Sequence, residues 1–239
     1  MNSEQQYIDL YTQCSGIINA HSAPVMNALR EQAFADFRRI GFPTRKVERY
    51  KYTDVAKLFE PDYGLNLNRL DIPVNPYDAF RCDVPNLSTS LYFVVNDSFY
   101  TRQLPQAHLP EGVIVDSLCR VAATQPQLVE PYYGRLAQTG ADALVALNTM
   151  LAQDGLFIYV PRHVRMDRTV QIINILRSDV DLMVNRRVLI VVEQGAEARF
   201  LFCDHAADDR RFLATQVIEA YVGDNASLDL YCMEETHIR

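Results

Sequence analysis

The sequence contains no tryptophan, only nine glycines and only five cysteines, and it carries a net charge of −7. So few glycines leave no G-x-x-x-x-G-K-[ST] phosphate loop and no G-x-G-x-x-G dinucleotide turn, which argues against ATP or NAD binding by this chain. H-E-x-x-H and G-x-S-x-G are also absent, and with them the zinc-peptidase and nucleophile-elbow chemistries. No stretch reaches the roughly 18 apolar residues of a spanning helix. Residues 1–10 lack both the basic start and the apolar centre of a secretory signal. The acidic balance argues against nucleic acid and anionic membrane, leaving proteins or small ligands as partners. Cys14, Cys82, Cys119, Cys203 and Cys232 are odd in number and far apart, with no C-x-x-C pair. They form neither a zinc pattern nor a disulfide framework, and a reduced cytoplasmic protein is the expectation.

What is present suffices for a folded protein: 239 residues, 49% hydrophobic and 22% charged. From Ser3 to Ile40 apolar residues recur at three and four, as in Tyr7, Leu10, Tyr11, Cys14 and Met26, Leu29, Ala33, Phe37. This predicts two helices broken near residues 21–24, with Ser22 as N-cap and Pro24 in the first turn. Gly41 and Pro43 stop the second. Residues 56–88 hold Pro61, Pro73, Pro76 and Pro85 without a sustained period and read as an ordered connector. From Leu91 onward short apolar strands follow: 91–95, 113–115, 156–160, 170–176, 188–192, 198–202, 212–222 and 228–233. One helical interruption spans 141–153, closed by Asp154-Gly155. With no room for crossover helices after residue 155, a doubly wound parallel sheet is excluded, and a sandwich, barrel or β-helix remains.

An internal echo aligns residues 195–202 with 225–232: a residue tolerant of positive φ, alanine, a polar residue, then alternation. It places Ala198, Phe200, Phe202, Leu228, Leu230 and Cys232 on one face, taken as core, and Cys203 on the other.

The candidate chemical groups each carry two readings. Cys203-Asp204-His205 joins a soft ligand to an imidazole, but neighbouring strand side chains alternate and do not easily face one ion. His21, His108, His163, His205 and His237 are otherwise scattered. Glu234-Glu235 with His237 fits a solvated turn better than acid-base work. Arg45, Lys46, Arg49 and Lys51, interleaved with Tyr50 and Tyr52, form a basic patch. Such a composition suits single-stranded nucleic acid or, more in keeping with the acidic remainder, a structural or partner-binding role.

The same stretch, Gly41-Phe42-Pro43 through Glu48, Tyr50-Lys51-Tyr52-Thr53, resembles the signature near the start of the SufB/SufD family, with Tyr50 where tryptophan is usual. Asn148, in Ala-Leu-Asn-Thr, then Asp154-Gly155, an apolar strand and Val160-Pro161 resemble that family's Leu-Asn helix leading into an Asp-Gly, apolar strand, Val-Pro run. Residues 187–193 with the Gly-Ala-Glu turn resemble its β-helix coils. The resemblance implies a mainly β protein with N-terminal α-helices, a right-handed parallel β-helix-like coil stack preceded by a helical region. The expected divisions are a helical region at 1–55, the connector at 56–88 and the core at 89–239.

By the same resemblance the chain is a SufD-type, non-catalytic scaffold subunit for iron-sulfur cluster assembly. It would act with a SufB-type paralogue and a SufC-type ATPase, and a homodimer stays open. No cofactor is expected on this chain alone, and the cluster would be held transiently in the full complex. Family members are longer, so the chain looks C-terminally truncated, without the SufC-docking region. The alternatives are a β-helix polysaccharide hydrolase or lyase, which needs a secretion signal and clustered acids, and a cupin-like metal-binding module.

Overall fold

The computed structural model describes residues 3–79, 90–103 and 109–235. Cys82, Pro85, His108 and His237 therefore lie outside the described residues, as does most of the end of the expected connector. The N-terminal stripe forms α1 (Ser3–Ala20), α2 (Pro24–Asn27) and α3 (Arg30–Ile40). The second expected helix is thus two, bent at Ala28–Leu29. The N-cap before Pro24 is Ala23, without a side-chain cap. Ser22 instead accepts a hydrogen bond from Arg30 at 2.8 Å. Gly41 ends α3 as anticipated, at φ +66° with its N–H on Phe37 O, a conformation that costs glycine nothing.

Short helices α4 (Val55–Leu58) and α5 (Pro76–Ala79) follow, then strands β1 (Ser90–Val95), β2 (Ser98–Phe99) and β3 (Ile114–Ser117). Helices α6 (Leu118–Thr124), α7 (Pro126–Val129) and α8 (Ala143–Leu151) come next. The chain then runs through β4 (Asp154–Val160), β5 (Val170–Leu176), β6 (Leu182–Val192), β7 (Glu197–Ala206), β8 (Phe212–Val222) and β9 (Ser227–Glu235). The five-stranded sheet has the order β2-β1-β5-β7-β9 and the four-stranded sheet β3-β4-β6-β8. From β4 to β9 the chain passes from one sheet to the other at every strand.

The expected class, a mainly β coil stack of the β-helix kind, is corrected by this arrangement. Both sheets are mixed, because β2 pairs antiparallel with β1 and β3 antiparallel with β4. Helices, moreover, cover an outer sheet face. The fold is α/β, two mixed sheets with helices, and the expected N-terminal helices are part of it. Parallel and antiparallel strands both read as short apolar runs, so the direction of pairing was not available from periodicity.

Alternation decides what each face buries. Leu156, Ile158 and Val160 of β4, Val188, Ile190 and Val192 of β6, and Val170, Ile172, Phe200 and Phe202 fill the space between the sheets. Phe157, Leu189 and Val191, on the outer face of the four-stranded sheet, pack on Leu118, Val121 and Val129 of α6 and α7. Tyr7, Tyr11, Ala33 and Phe37 pack with Ala146, Leu147 and Met150 of α8. Each such large side chain contributes about 1.5–3 kcal/mol on burial.

The echo is realised as strand register: Ala198 pairs with Leu228, Phe200 with Leu230 and Phe202 with Cys232. Gly195 and Asn225 hold matching turns at φ +66° and +54°. Ala198, Phe200 and Phe202 are buried core, with Leu228 and Leu230 packed against them. Cys232 departs from the expectation and is exposed, whereas Cys203 is buried on the opposite face with Phe93 and Ile173.

Candidate functional site

The residues of the family-like motifs turn out to be joints between elements. Gly41 and Pro43 flank Phe42, whose N–H donates to Glu4 Oε1 at 2.7 Å and whose ring meets Tyr7, Phe37 and Phe59. Glu48, Lys51, Tyr52 and Thr53 are exposed; Lys51 lies 3.8 Å from Glu48. Tyr50 turns inward, and its hydroxyl donates to Asp142 Oδ2 at 2.7 Å. Asp142 is also the N-cap of α8, accepting from Leu144 N at 2.8 Å. One carboxylate therefore starts α8 and ties the 41–53 segment to it.

Burial first, and then Asp142, pushes the Tyr50 phenol up to about 12. The neutral phenol is the favoured form, so its contribution is complete below the unfolded value near pH 10 and fades as pH rises to about 12. Tyr50→Phe is expected to cost about 1 kcal/mol in urea unfolding at neutral pH. Asp142→Ala, losing cap and clamp together, is expected to cost about 2 kcal/mol. Equal losses for the two variants would show that Asp142 does not serve both.

Asn148, fully buried on α8, donates through Nδ2 to Arg186 O and Thr215 Oγ1, each at 3.0 Å. It thereby fastens the helix to the backbone of β6 and to a side chain of β8. The next residue, Thr149, accepts from Arg187 Nη1 at 2.9 Å. Arg187 is completely buried and pairs with Glu219 at 2.7 Å, with its guanidinium 4.9 Å from the Tyr133 ring. Glu219 also accepts the backbone N–H groups of Gly134, Leu136 and Ala137 at 2.8–3.0 Å. Burial pushes the Glu219 carboxyl up, but Arg187 and these amides pull harder and leave it below the ordinary value. At the C-terminal end of α8, buried Arg30 donates to the carbonyls of Thr149, Met150 and Ala152, the groups a helix C-terminus leaves unpaired.

Asp154 opens β4, accepting from Ser117 Oγ at 2.7 Å and Cys119 N at 3.0 Å, with Arg69 at 3.7 Å. Burial raises its carboxyl despite Arg69. Burial and Asp154 together push the neighbouring Cys119 thiol up to about 11, which leaves it protonated and unreactive at neutral pH. Gly155 pairs directly with Arg187 across β4 and β6. Pro161 is half-buried just beyond β4, close beneath Gly112. The structure thus brings Tyr50, Asn148, Asp154 and Gly155 into one framework around α8, and leaves Glu48, Lys51, Tyr52, Thr53 and Pro161 at its margins.

On β7, Cys203 packs into the outer cluster while Asp204 points between the sheets to Arg186 at 2.7 Å, so these two neighbours face opposite ways. Among the described residues no group of three or more His, Cys, Asp or Glu is placed to hold a metal ion. Glu234 and Glu235 lie in β9 rather than in a turn. A cavity of about 600 Å³ opens beside Arg186, Asp204, Arg210, Gln216 and Glu234. Sequence reasoning missed Asp142, Arg187 and Glu219. A charge inside an otherwise apolar strand, as in Arg187-Val188-Leu189 and Ile218-Glu219-Ala220, was the available sign.

These joints define an α/β chain of two sheets in which Tyr50, Asp142 and Asn148 fix helix α8 and its approach segment to one another and to the strands. Residues 1–172 match the model of the SufBD protein N-terminal region, and residues 174–238 that of the SUF system FeS cluster assembly SufBD core domain. The chain belongs to the SufBD family. It is 28% identical over 219 residues to a chloroplastic iron-sulfur cluster assembly SufBD family protein of Arabidopsis thaliana, covering 85% of this chain and 38% of that one. It is 24% identical over 234 residues to the iron-sulfur cluster assembly protein SufD of Bacillus subtilis, covering 95% and 51%. Another Arabidopsis thaliana SufBD family protein is 26% identical over 176 residues, 73% and 35% of the two chains. The chain thus spans between about a third and about half the length of these relatives.

Proposed function

We propose that the chain acts as part of a SufD-type scaffold subunit in iron-sulfur cluster assembly, beside a SufB-type paralogue and a SufC-type ATPase. Iron and sulfur pass through the assembly as cargo, and ATP is hydrolysed by the other chain. The observation that carries this reading is the succession of the two SufBD models, over residues 1–172 and then 174–238. The similarity to SufD of Bacillus subtilis over 95% of this chain favours the SufD type. The signature residues support it from another side, since the Tyr50 hydroxyl, Asn148 Nδ2 and the Asp154 carboxylate are spent on internal joints.

The test is affinity purification of the full-length protein from its native cells, followed by identification of what accompanies it. A SufB-type chain and a SufC-type ATPase in near-equal amounts are expected. Recovery of the protein with neither would overturn the reading, and the SufBD match would then report ancestry alone.

A further inference from the structure

Residues 38–58 contain seven Lys or Arg and only two acids, in a chain whose net charge is −7. The same stretch exposes Val47, Leu58 and above all Tyr52, the last to 91%. These groups sit on an ordered support. Residues 44–53 form successive turns, with Val47 N–H on Thr44 O, Tyr50 N–H on Val47 O and Thr53 N–H on Tyr50 O. The turns are held from beneath by Tyr50 on Asp142 and by the buried side chains of Val55 and Phe59. Lys51 stands 5.6 Å over the Tyr52 ring.

Nothing within the described fold uses the Tyr52 ring beyond that stacked ammonium. An exposed tyrosine flanked by cations on a pre-ordered turn is the make-up of an interface anchor, because little freedom remains to be lost on binding. We propose that this turn is a docking surface for an acidic segment of another protein, with Tyr52 packing among its apolar side chains and Lys46 and Lys51 meeting its carboxylates.

The charge pattern favours a protein over a polyphosphate. Arg45 already pairs with Asp54 and Arg49 with Asp142, which leaves Lys46 and the loosely paired Lys51, 3.8 Å from the exposed Glu48, so the turn lacks the dense row of cations that a phosphate backbone rewards. Tyr50 is committed inward, which leaves one ring where single-strand binding uses several. Val47 and Leu58 gain nothing beside phosphates and gain contact area against apolar side chains. An anionic bilayer would have to approach a chain that is acidic elsewhere.

The proposal stands apart from the assembly role and is tested separately on the full chain. The probe is a short fluorescein-labelled peptide of Asp, Glu and Leu, followed by fluorescence anisotropy at moderate ionic strength. Saturable binding is expected, weakened about tenfold by Tyr52→Ala and abolished by Lys46→Glu combined with Lys51→Glu. All three side chains are exposed, so unchanged circular dichroism and urea midpoints are expected alongside. The proposal is overturned by absent binding, or by binding indifferent to these substitutions. Tighter binding of a single-stranded oligonucleotide or of phosphatidylserine vesicles overturns it too, as does self-association of the chain that Tyr52→Ala removes.

Discussion

Arg187→Met is expected to destabilise the protein by about 3–5 kcal/mol, the cost of leaving one member of a buried ion pair without its partner. Methionine preserves most of the volume, so the loss reports charge rather than a cavity. Both side chains of the Arg187–Glu219 pair are 0% exposed, so water cannot reach in to solvate the stranded Glu219 carboxylate. That carboxylate also holds the 134–137 loop through three backbone amides. The loop should therefore loosen together with α8, which loses the Thr149 contact. Urea unfolding gives the magnitude, and hydrogen exchange at residues 134–137 gives the location. A loss below about 1 kcal/mol would place the pair in contact with water after all. Arg187→Met combined with Glu219→Leu should regain part of the loss, because a well-packed apolar pair needs no desolvation of charge.

The same pair sets a direction for acid. Glu219 is held below its ordinary value, so its contribution is complete above the unfolded value near pH 4.3 and disappears as pH falls through the lower folded one. Glu219→Gln should accordingly flatten the acid limb of the stability curve while lowering the plateau at neutral pH.

The sequence disclosed these elements unevenly, for reasons visible in particular residues. The helical stripe of Tyr7, Tyr11, Ala33 and Phe37 was legible because each faces one core. The run Val170–Leu176 was legible because it is buried throughout. The first half of β6 was not, since Asn185, Arg186 and Arg187 interrupt the apolar run and are tolerated only through partners elsewhere in the chain. Helices α6 and α7 were missed, although Ser117 caps the first and Pro126 begins the second. Both are too short for a periodic pattern to emerge. Mixed pairing, which overturned the expected class, depends on which edges β2 and β3 meet, and no local pattern encodes that. Within the motifs the residue types pointed to the right places but not to their work. Tyr50 belongs to a motif by resemblance, whereas its bond to Asp142 spans 92 positions.

Gly155→Ala is the other large effect expected, a loss of at least about 3 kcal/mol, a large share of the about 5–15 kcal/mol that holds an ordinary domain folded. A β-carbon at this position would sit 1.9 Å from Arg187 O and 2.8 Å from both Arg187 C and N. Those are backbone atoms in the adjoining strand, so no rotamer change relieves the contact and β4 must move away from β6. Arg187 cannot follow freely, because its side chain is pinned by Glu219 and Thr149. The two effects are thus coupled: the close approach at Gly155 and the buried pair each depend on β6 staying where it is. Gly16→Ala provides the contrast, since nothing lies within 4 Å of a β-carbon there and the residue is inside α1. It should raise stability by about 0.5–1 kcal/mol. Comparing the two urea midpoints separates the close approach from the general cost of changing glycine. A Gly155→Ala protein within about 1 kcal/mol of the parent would mean that β4 and β6 part easily, and the steric account of this motif glycine would fail.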